Sequence, residues 1–274
     1  MNANSHPAHV FLTGASSGIG LESVRLLTSH GFVVWGTSRS FERLPKIPNF
    51  HPVVMDLTDS DSIRDGFALA LKQAGHFDIL INNSGAGHFG PIESQPAELV
   101  REQFQLMVHG PLELIRLTLP QMRQRQRGLI LNVTSLASRF PIPYLGIYSS
   151  TKAALASLSE TLRYELAHTP IRVIDLQPGD INTNFHAATR QLETKLGPAD
   201  QTRIRAAWET ITCNMAIAPA PRLVAEAVLR IVTSANPPPV VAVGGFFQAK
   251  VGPFLTRFAP RRSIEWFLRR YYRI

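Results

Sequence analysis

The sequence predicts an α/β fold, a doubly wound parallel sheet of about seven strands with helices on both faces. Two observations carry that reading. Short β-branched runs alternate with longer stretches in which apolar residues recur every three or four positions, the pattern of a parallel sheet joined by crossover helices. The chain is 274 residues long, 45% hydrophobic and 18% charged, which suits one large domain and leaves too little charge for a disordered chain.

The elements follow in order. A strand at His9–Thr13 leads into a helix at Ile19–Ser29, which ends before Gly31, where a left-handed residue suits the turn. Strands Phe32–Thr37 and Pro52–Met55 come next, then a helix at Ser60–Ala74 opened by Asp59 and Ser60. Strand Ile79–Asn82 precedes one long helical pattern, Ala97–Gln124, and strand Leu129–Val133 precedes helix Tyr148–Ala167. Strand Arg172–Leu176, helix Arg222–Ser234 and strand Val240–Val243 complete the series. Residues 185–221 interrupt it without a strand signal. Ligands in such sheets bind beyond the carboxyl ends of the strands, so this segment is either a lid over a substrate or a surface elaboration. Residues 1–245 thus read as one domain and 246–274 as a basic, aromatic extension.

The formal charge is +8, and residues 246–274 hold seven basic residues against the single acid Glu265. No motif that enters a groove or stacks bases accompanies this charge, which argues against nucleic acid as a partner. One cysteine, Cys213, excludes an internal disulfide, and no metal site is expected. A polar start and the lack of an apolar run of about 20 residues point to a cytoplasmic protein without a membrane span.

The segment Thr13-Gly14-Ala15-Ser16-Ser17-Gly18-Ile19-Gly20 joins the first strand to the first helix. Gly14 permits a tight turn, Gly18 lets backbone approach a pyrophosphate, and Gly20 lets the helix pack on the strand, while the helix N-terminus attracts the anion. After the second strand stands Thr37-Ser38-Arg39, where NAD sites usually carry a carboxylate for the ribose hydroxyls. A guanidinium at Arg39 suits a 2′-phosphate instead, so NADP(H) is favoured over NAD(H).

Tyr148 and Lys152 stand four residues apart and share one helix face. A nearby cation lowers a phenol pKa from about 10, which would make Tyr148 a usable general acid/base. Ser135 ends the fifth strand, where its hydroxyl could bind a substrate oxygen as charge develops.

Together with Asn82-Asn83-Ser84-Gly85 and Pro178-Gly179-Asp180-Ile181-Asn182-Thr183, these motifs, in this order, resemble the short-chain dehydrogenase/reductase family over roughly residues 8 to 185. The resemblance implies a Rossmann-type fold and an oxidoreductase. In it Tyr148 exchanges the proton, Lys152 holds the nicotinamide ribose and depresses the tyrosine pKa, and Ser135 orients the carbonyl. It also implies adenine contacts at Asp56 and Leu57, a close pass of Asn83, Ser84 and Gly85 by the adenosine ribose, and a carboxamide grip by Pro178 to Thr183, with Gly179 in the turn and Ile181 and Thr183 nearest. A homodimer or homotetramer through the helices at 97–124 and 148–167 is implied too. One departure stands out. The family pattern Phe-x-x-Asn-x-x-Gly, whose asparagine helps hold a relay water, here reads Phe104-Gln105-Leu106-Met107-Val108-His109-Gly110. A methionine cannot replace an amide as donor or acceptor, and His109 should point elsewhere. The relay could persist through a backbone carbonyl and water. The competing reading is a non-catalytic, dinucleotide-binding redox sensor whose relay has decayed.

Pro141-Ile142-Pro143-Tyr144-Leu145 and Ala216-Ile217-Ala218 suggest apolar pocket walls and a hydrophobic alcohol or carbonyl substrate of steroid, retinoid or lipid type. Finally, Arg262–Arg273 reads as a helix with Ile264, Phe267, Leu268 and Tyr271 on one face and Arg262, Glu265, Arg269 and Arg273 largely on another. Such a helix could lie peripherally in a membrane interface, or dock its apolar face on the protein or a second subunit.

Overall fold

A computed structural model describes residues 7–245 and 259–274; the part of the extension spanning 246–258 lies outside them. The main sheet is built from β1 (His9–Leu12), β2 (Val33–Ser38), β3 (Phe50–Val54), β4 (Ile79–Asn82), β6 (Gly128–Val133), β7 (Ile171–Pro178) and β9 (Val240–Val243). These seven strands run parallel in the order β3-β2-β1-β4-β6-β7-β9. The order reverses between β1 and β4, a topological switch point at which ligands bind in open α/β sheets. Strands β4 and β6 are buried at every residue, which is why they read as unbroken apolar runs instead of alternating ones.

On one face, α1 (Gly18–Ser29) and α8 (Arg222–Thr233) pack Val24, Leu27, Val224, Val228 and Ile231 against Leu12, Ile81 and Leu131. On the other, α2 (Ser60–Ala74), α4 (Gly110–Gln124) and α5 (Gly146–Glu165) cover Phe11, Leu80 and Ile130 with Ile63, Phe67, Leu114 and Met122. Asp59 caps α2 by accepting from the Asp61 N–H at 2.9 Å. Gly31 takes φ +83° just past α1.

Two expectations needed correction. The pattern over 97–124 is not one α-helix: α3 (Ala97–Phe104) passes through a π-helical turn, Gln105–His109, into α4. Pro111 has no N–H to offer the Met107 carbonyl, so the α-helical ladder opens there. The second concerns residues 185–221, which do hold strand structure. The two-residue β8 (Arg190–Gln191) pairs in parallel with β5 (His88–Phe89), a ladder too short to leave a periodic signal. Around it lie the short α6 (Asn184–Ala188) and the 20-residue α7 (Pro198–Ile217). The C-terminal α9 (Arg261–Tyr271) returns to this same side of the molecule.

Candidate active site

A cleft of about 680 Å³ opens beyond the carboxyl ends of the strands, and every catalytic or cofactor residue named from the sequence lines it. Its first half is a backbone cradle. A Cβ on Gly20 would sit 2.0 Å from the Gly14 carbonyl oxygen, and one on Gly14 2.9 Å from Ser84 Oγ. Only glycine allows α1 to start this close to the ends of β1 and β4. Gly18 takes φ +53°. Ser17 precedes α1 in an extended conformation and caps it with no side-chain bond, so the first-turn N–H groups and the cradle of Ser16, Ser17, Gly18 and Ile19 suit a diphosphate. Thr13 Oγ1 accepts from the N–H groups of Asn83 (2.9 Å) and Ser84 (3.1 Å), and the Asn83 amide donates back to the Thr13 carbonyl at 2.9 Å. These bonds fix Asn83, Ser84 and Gly85 across the switch point.

Beside the cradle, Asp56 holds its own turn by accepting from Thr58 N–H and Oγ1 at 2.9 and 2.7 Å, next to buried Leu57. Arg39 reaches the rim exposed, beyond buried Ser38, and Arg43 joins it there. Sequence reasoning missed Arg43; its spacing four residues past Arg39 was the available signal.

At the floor, Ser135 stands two residues past β6 and opens a short turn, accepting from the Ala137 N–H at 3.0 Å with its hydroxyl 3.4 Å from the Pro178 carbonyl. Tyr148 and Lys152 descend from the first turns of α5. Lys152 is buried, and its Nζ donates to the Val133 carbonyl at 2.7 Å, leaving it 5.9 Å from the centre of the Tyr148 ring. The expected lowering of the phenol pKa is absent in this arrangement. Burial pushes Tyr148 up to about 12, opposed by a hydrogen bond with Ser135 and reinforced by the Asp180 charge. Burial likewise pulls Lys152 down to about 8, opposed by Asp175. Desolvation outweighs the attraction because the ammonium is spent on a carbonyl instead of on the phenol.

Met107 is buried beside this floor. Its sulfur receives weak contacts at 3.8 Å from the Thr151 hydroxyl and from the Gln103 amide. Gln103, one helical turn earlier and also buried, holds the Ala86 carbonyl at 3.1 Å and a His88 ring nitrogen at 2.9 Å. An amide is therefore present here, four residues before the position where the family pattern puts one; the i, i+4 spacing was the missed clue. His109 is exposed.

The second half of the cleft is apolar. Phe140, Ile142 and Leu145 form one wall, Phe185 lies with its ring 5.2 Å from that of Tyr148, and α7 supplies Trp208, Ile211 and Met215. Ala216-Ile217-Ala218 does not line it, and Ile217 is 86% exposed. The inward stripe of α7 runs through 204, 207, 208, 211 and 215, which turns position 217 outward. The same cleft is lined from α9 by Ile264, Phe267, Leu268 and Tyr271, with Tyr272. Of the expected apolar face only Leu268 docks, packing with Tyr272 and Ile274 in the cluster of Phe89, Leu145 and Ile211, while Phe267 and Tyr271 stay 47% and 39% exposed.

Comparison with known proteins matches residues 8–194 to the short chain dehydrogenase family. The 3-ketodihydrosphingosine reductase of Bacteroides thetaiotaomicron is 32% identical over 98% of this chain and 99% of its own length. A short-chain dehydrogenase from Streptomyces avermitilis superposes with a TM-score of 0.82 at 29% identity, covering 97% of each chain. A Burkholderia cenocepacia short-chain dehydrogenase solved with NADP gives 0.74 at 25% identity, over 96% of this chain and 98% of its own. On sequence, sheet order and cleft alike, the chain belongs to the short-chain dehydrogenase/reductase family of oxidoreductases.

Proposed function

We propose that this protein is an NADP(H)-dependent reductase of a hydrophobic ketone, of the long-chain lipid type exemplified by the compound in the Bacteroides relative's name. The observation that carries the reading is the meeting of Ser135, Tyr148 and Lys152 at the floor of one cleft, between a glycine cradle and apolar walls. Bound along the cradle, the dinucleotide supplies the hydride. Ser135 and Tyr148 bind the carbonyl oxygen, and Tyr148, which keeps its proton at neutral pH, donates it as the alkoxide forms. Arg39 and Arg43, with no carboxylate in Thr37-Ser38-Arg39, favour a 2′-phosphate.

The test is loss of nicotinamide absorbance with NADPH and a panel of long-chain ketones, repeated with NADH. Arg39→Asp should cut the NADPH:NADH preference by roughly 10-fold or more, since a charge-assisted bond becomes a repulsion. An unchanged ratio refutes the 2′-phosphate assignment. Tight cofactor binding without turnover of any ketone favours the sensor instead.

The outer face of α9 supports peripheral contact with a cytoplasmic membrane surface. Arg262, Trp266, Arg269, Arg270 and Arg273 fall on one helical stripe, Trp266 is 67% exposed, and none of these four arginines has an acidic partner among the described residues. Each cation near an anionic bilayer contributes about 1 kcal/mol. Vesicles rich in phosphatidylglycerol should co-sediment the protein in low salt, and Arg269→Glu with Arg270→Glu should release it. Retention by neutral vesicles or by the double variant would argue against this contact. Self-association as a homodimer or homotetramer through α4 and α5 completes the proposal; a strict monomer in light scattering would remove it.

A further inference from the structure

Asp175 is a buried acid in the middle of the sheet that the reduction chemistry above leaves unused. Asn82, Asn132 and Asp175 stand level with one another across β4, β6 and β7, directly after the apolar row Ile81, Leu131 and Ile174. The two asparagines are neutral. The Asn82 amide donates to Asn132 Oδ1 and the Asn132 amide to Ser159 Oγ on α5, both at 2.8 Å. Asp175, 3% exposed, is the charged member of the row. One of its oxygens accepts from the Thr134 hydroxyl and the other from the Gln177 amide at 2.6 Å. Both donors are neutral, and a carboxylate buried without a compensating charge is among the costliest groups a fold can hold.

The compensating charge lies one residue away along the chain after β6. Lys152 Nζ donates to the Val133 carbonyl at 2.7 Å, and Thr134, the next residue, holds Asp175. Val133 and Thr134, both buried, are thus all that separates the ammonium from the carboxylate on this path. In a site of low dielectric, attraction between unlike charges persists beyond direct contact. Asp175 is the charge that works against desolvation at Lys152. The neighbouring groups do not replace it. Tyr148, on the same helix, keeps its proton, and Asp180 acts on Tyr148. Gly85 and Met107, brought to this floor by the segment after β4 and by the π-turn, are uncharged. Arg163 of α5 reaches the Pro239 carbonyl at 3.4 Å, which also accepts the Asp175 N–H at 3.0 Å, but its guanidinium is exposed and screened by solvent.

We propose that Asp175 is a positioning residue for hydride transfer: it is the buried counter-charge that keeps Lys152 an ammonium. A neutral amine has fewer donors for a ribose hydroxyl, and no charge to steady the phenolate left when Tyr148 gives up its proton. This effect on the reaction rests on the ketone-reductase reading above, whereas the pairing of the two charges is a property of the folded chain alone.

The experiment has two arms. In the first, kcat/KM for reduction of a long-chain 2-alkanone by NADPH is followed from about pH 6 to 10 in wild type and in Asp175→Asn. The alkaline fall should move down by about one pH unit or more, the usual consequence of losing an opposite charge. The loss should narrow to less than about 3-fold near pH 6, where the lysine is charged again. A fall at the wild-type pH, or an equal loss at every pH, overturns the proposal and leaves Asp175 a structural acceptor. The second arm needs no substrate. Lys152→Met strands the Asp175 charge, so adding Asp175→Asn to it should raise the Tm of the full chain by roughly 3 °C or more. A double variant that melts no higher than Lys152→Met overturns the pairing, and this comparison decides the matter if Asp175→Asn alone fails to fold. Rescue of Tm without turnover of any ketone would refute the reductase reading and uphold the charge pair.

Discussion

Tyr148→Phe is expected to lower kcat for ketone reduction by roughly 10²- to 10⁴-fold, the usual worth of a positioned general acid, while the Kd for NADPH changes by no more than about 3-fold. The substitution removes one oxygen and keeps the ring, so the packing against Phe185 at 5.2 Å survives. Lys152 is unaffected, because it is anchored at Val133 and not at the phenol. The pH dependence of the wild type follows from the same geometry. Tyr148 stays protonated across the neutral range, whereas Lys152, pulled down to about 8, loses its charge as the pH rises through that value. The kcat/KM for reduction should therefore be level from about pH 6 to near 8 and fall above it, since that parameter reports the free enzyme. A profile that stays level to about pH 10 would show that the lysine charge is not needed. Turnover by the Tyr148→Phe variant within about 10-fold of wild type would remove the phenol from the chemistry.

Gly20→Ala carries the other large effect. Its Cβ would lie 2.0 Å from the Gly14 carbonyl oxygen and 2.9 Å from the carbonyl carbon, both backbone atoms that no rotamer change can clear. Either α1 moves off β1 or the Gly14 turn distorts. Overpacking of this kind typically costs about 1–3 kcal/mol of stability. The displaced cradle should weaken NADPH binding by roughly 100-fold or more, as the N–H groups no longer converge. Gly197→Ala is the control: it precedes α7 at φ −65°, with nothing within 4 Å of the added methyl. Calorimetry should find Tm and Kd changed in the first variant and neither changed in the second. Normal cofactor affinity in Gly20→Ala would mean that this turn does not hold the diphosphate.

What the sequence made legible is what local chemistry dictates. Fully buried parallel strands read as apolar runs, and all seven sheet strands fall within two residues of their expected ends. The glycine turn was readable because positive φ and close approach leave few other choices. The π-turn was partly legible, since Pro111 inside a helical pattern announces a broken bond; the pattern of apolar positions masked it. What could not be read is anything fixed by distant parts of the chain. No local signal says that Lys152 would bond to Val133, that burial would outweigh its charge at Tyr148, or which residues of α7 turn inward. The amphipathicity of α9 was plain, yet its direction depended on a groove built from Phe89, Leu145 and Ile211, more than 50 residues upstream.

The division of the cleft bears on how this scaffold diversifies. The match to the family model ends at residue 194, before α7 and α9 contribute their walls. Cradle and proton donor thus come from one continuous stretch of chain, and much of the substrate wall comes from the 80 residues C-terminal to it. Recombination or drift after residue 194 can reshape the chamber without disturbing hydride chemistry. A relative that diverges after this point is expected to share its cofactor handling and not its substrate. Grafting residues 195–274 between two such proteins should carry substrate choice across with the graft.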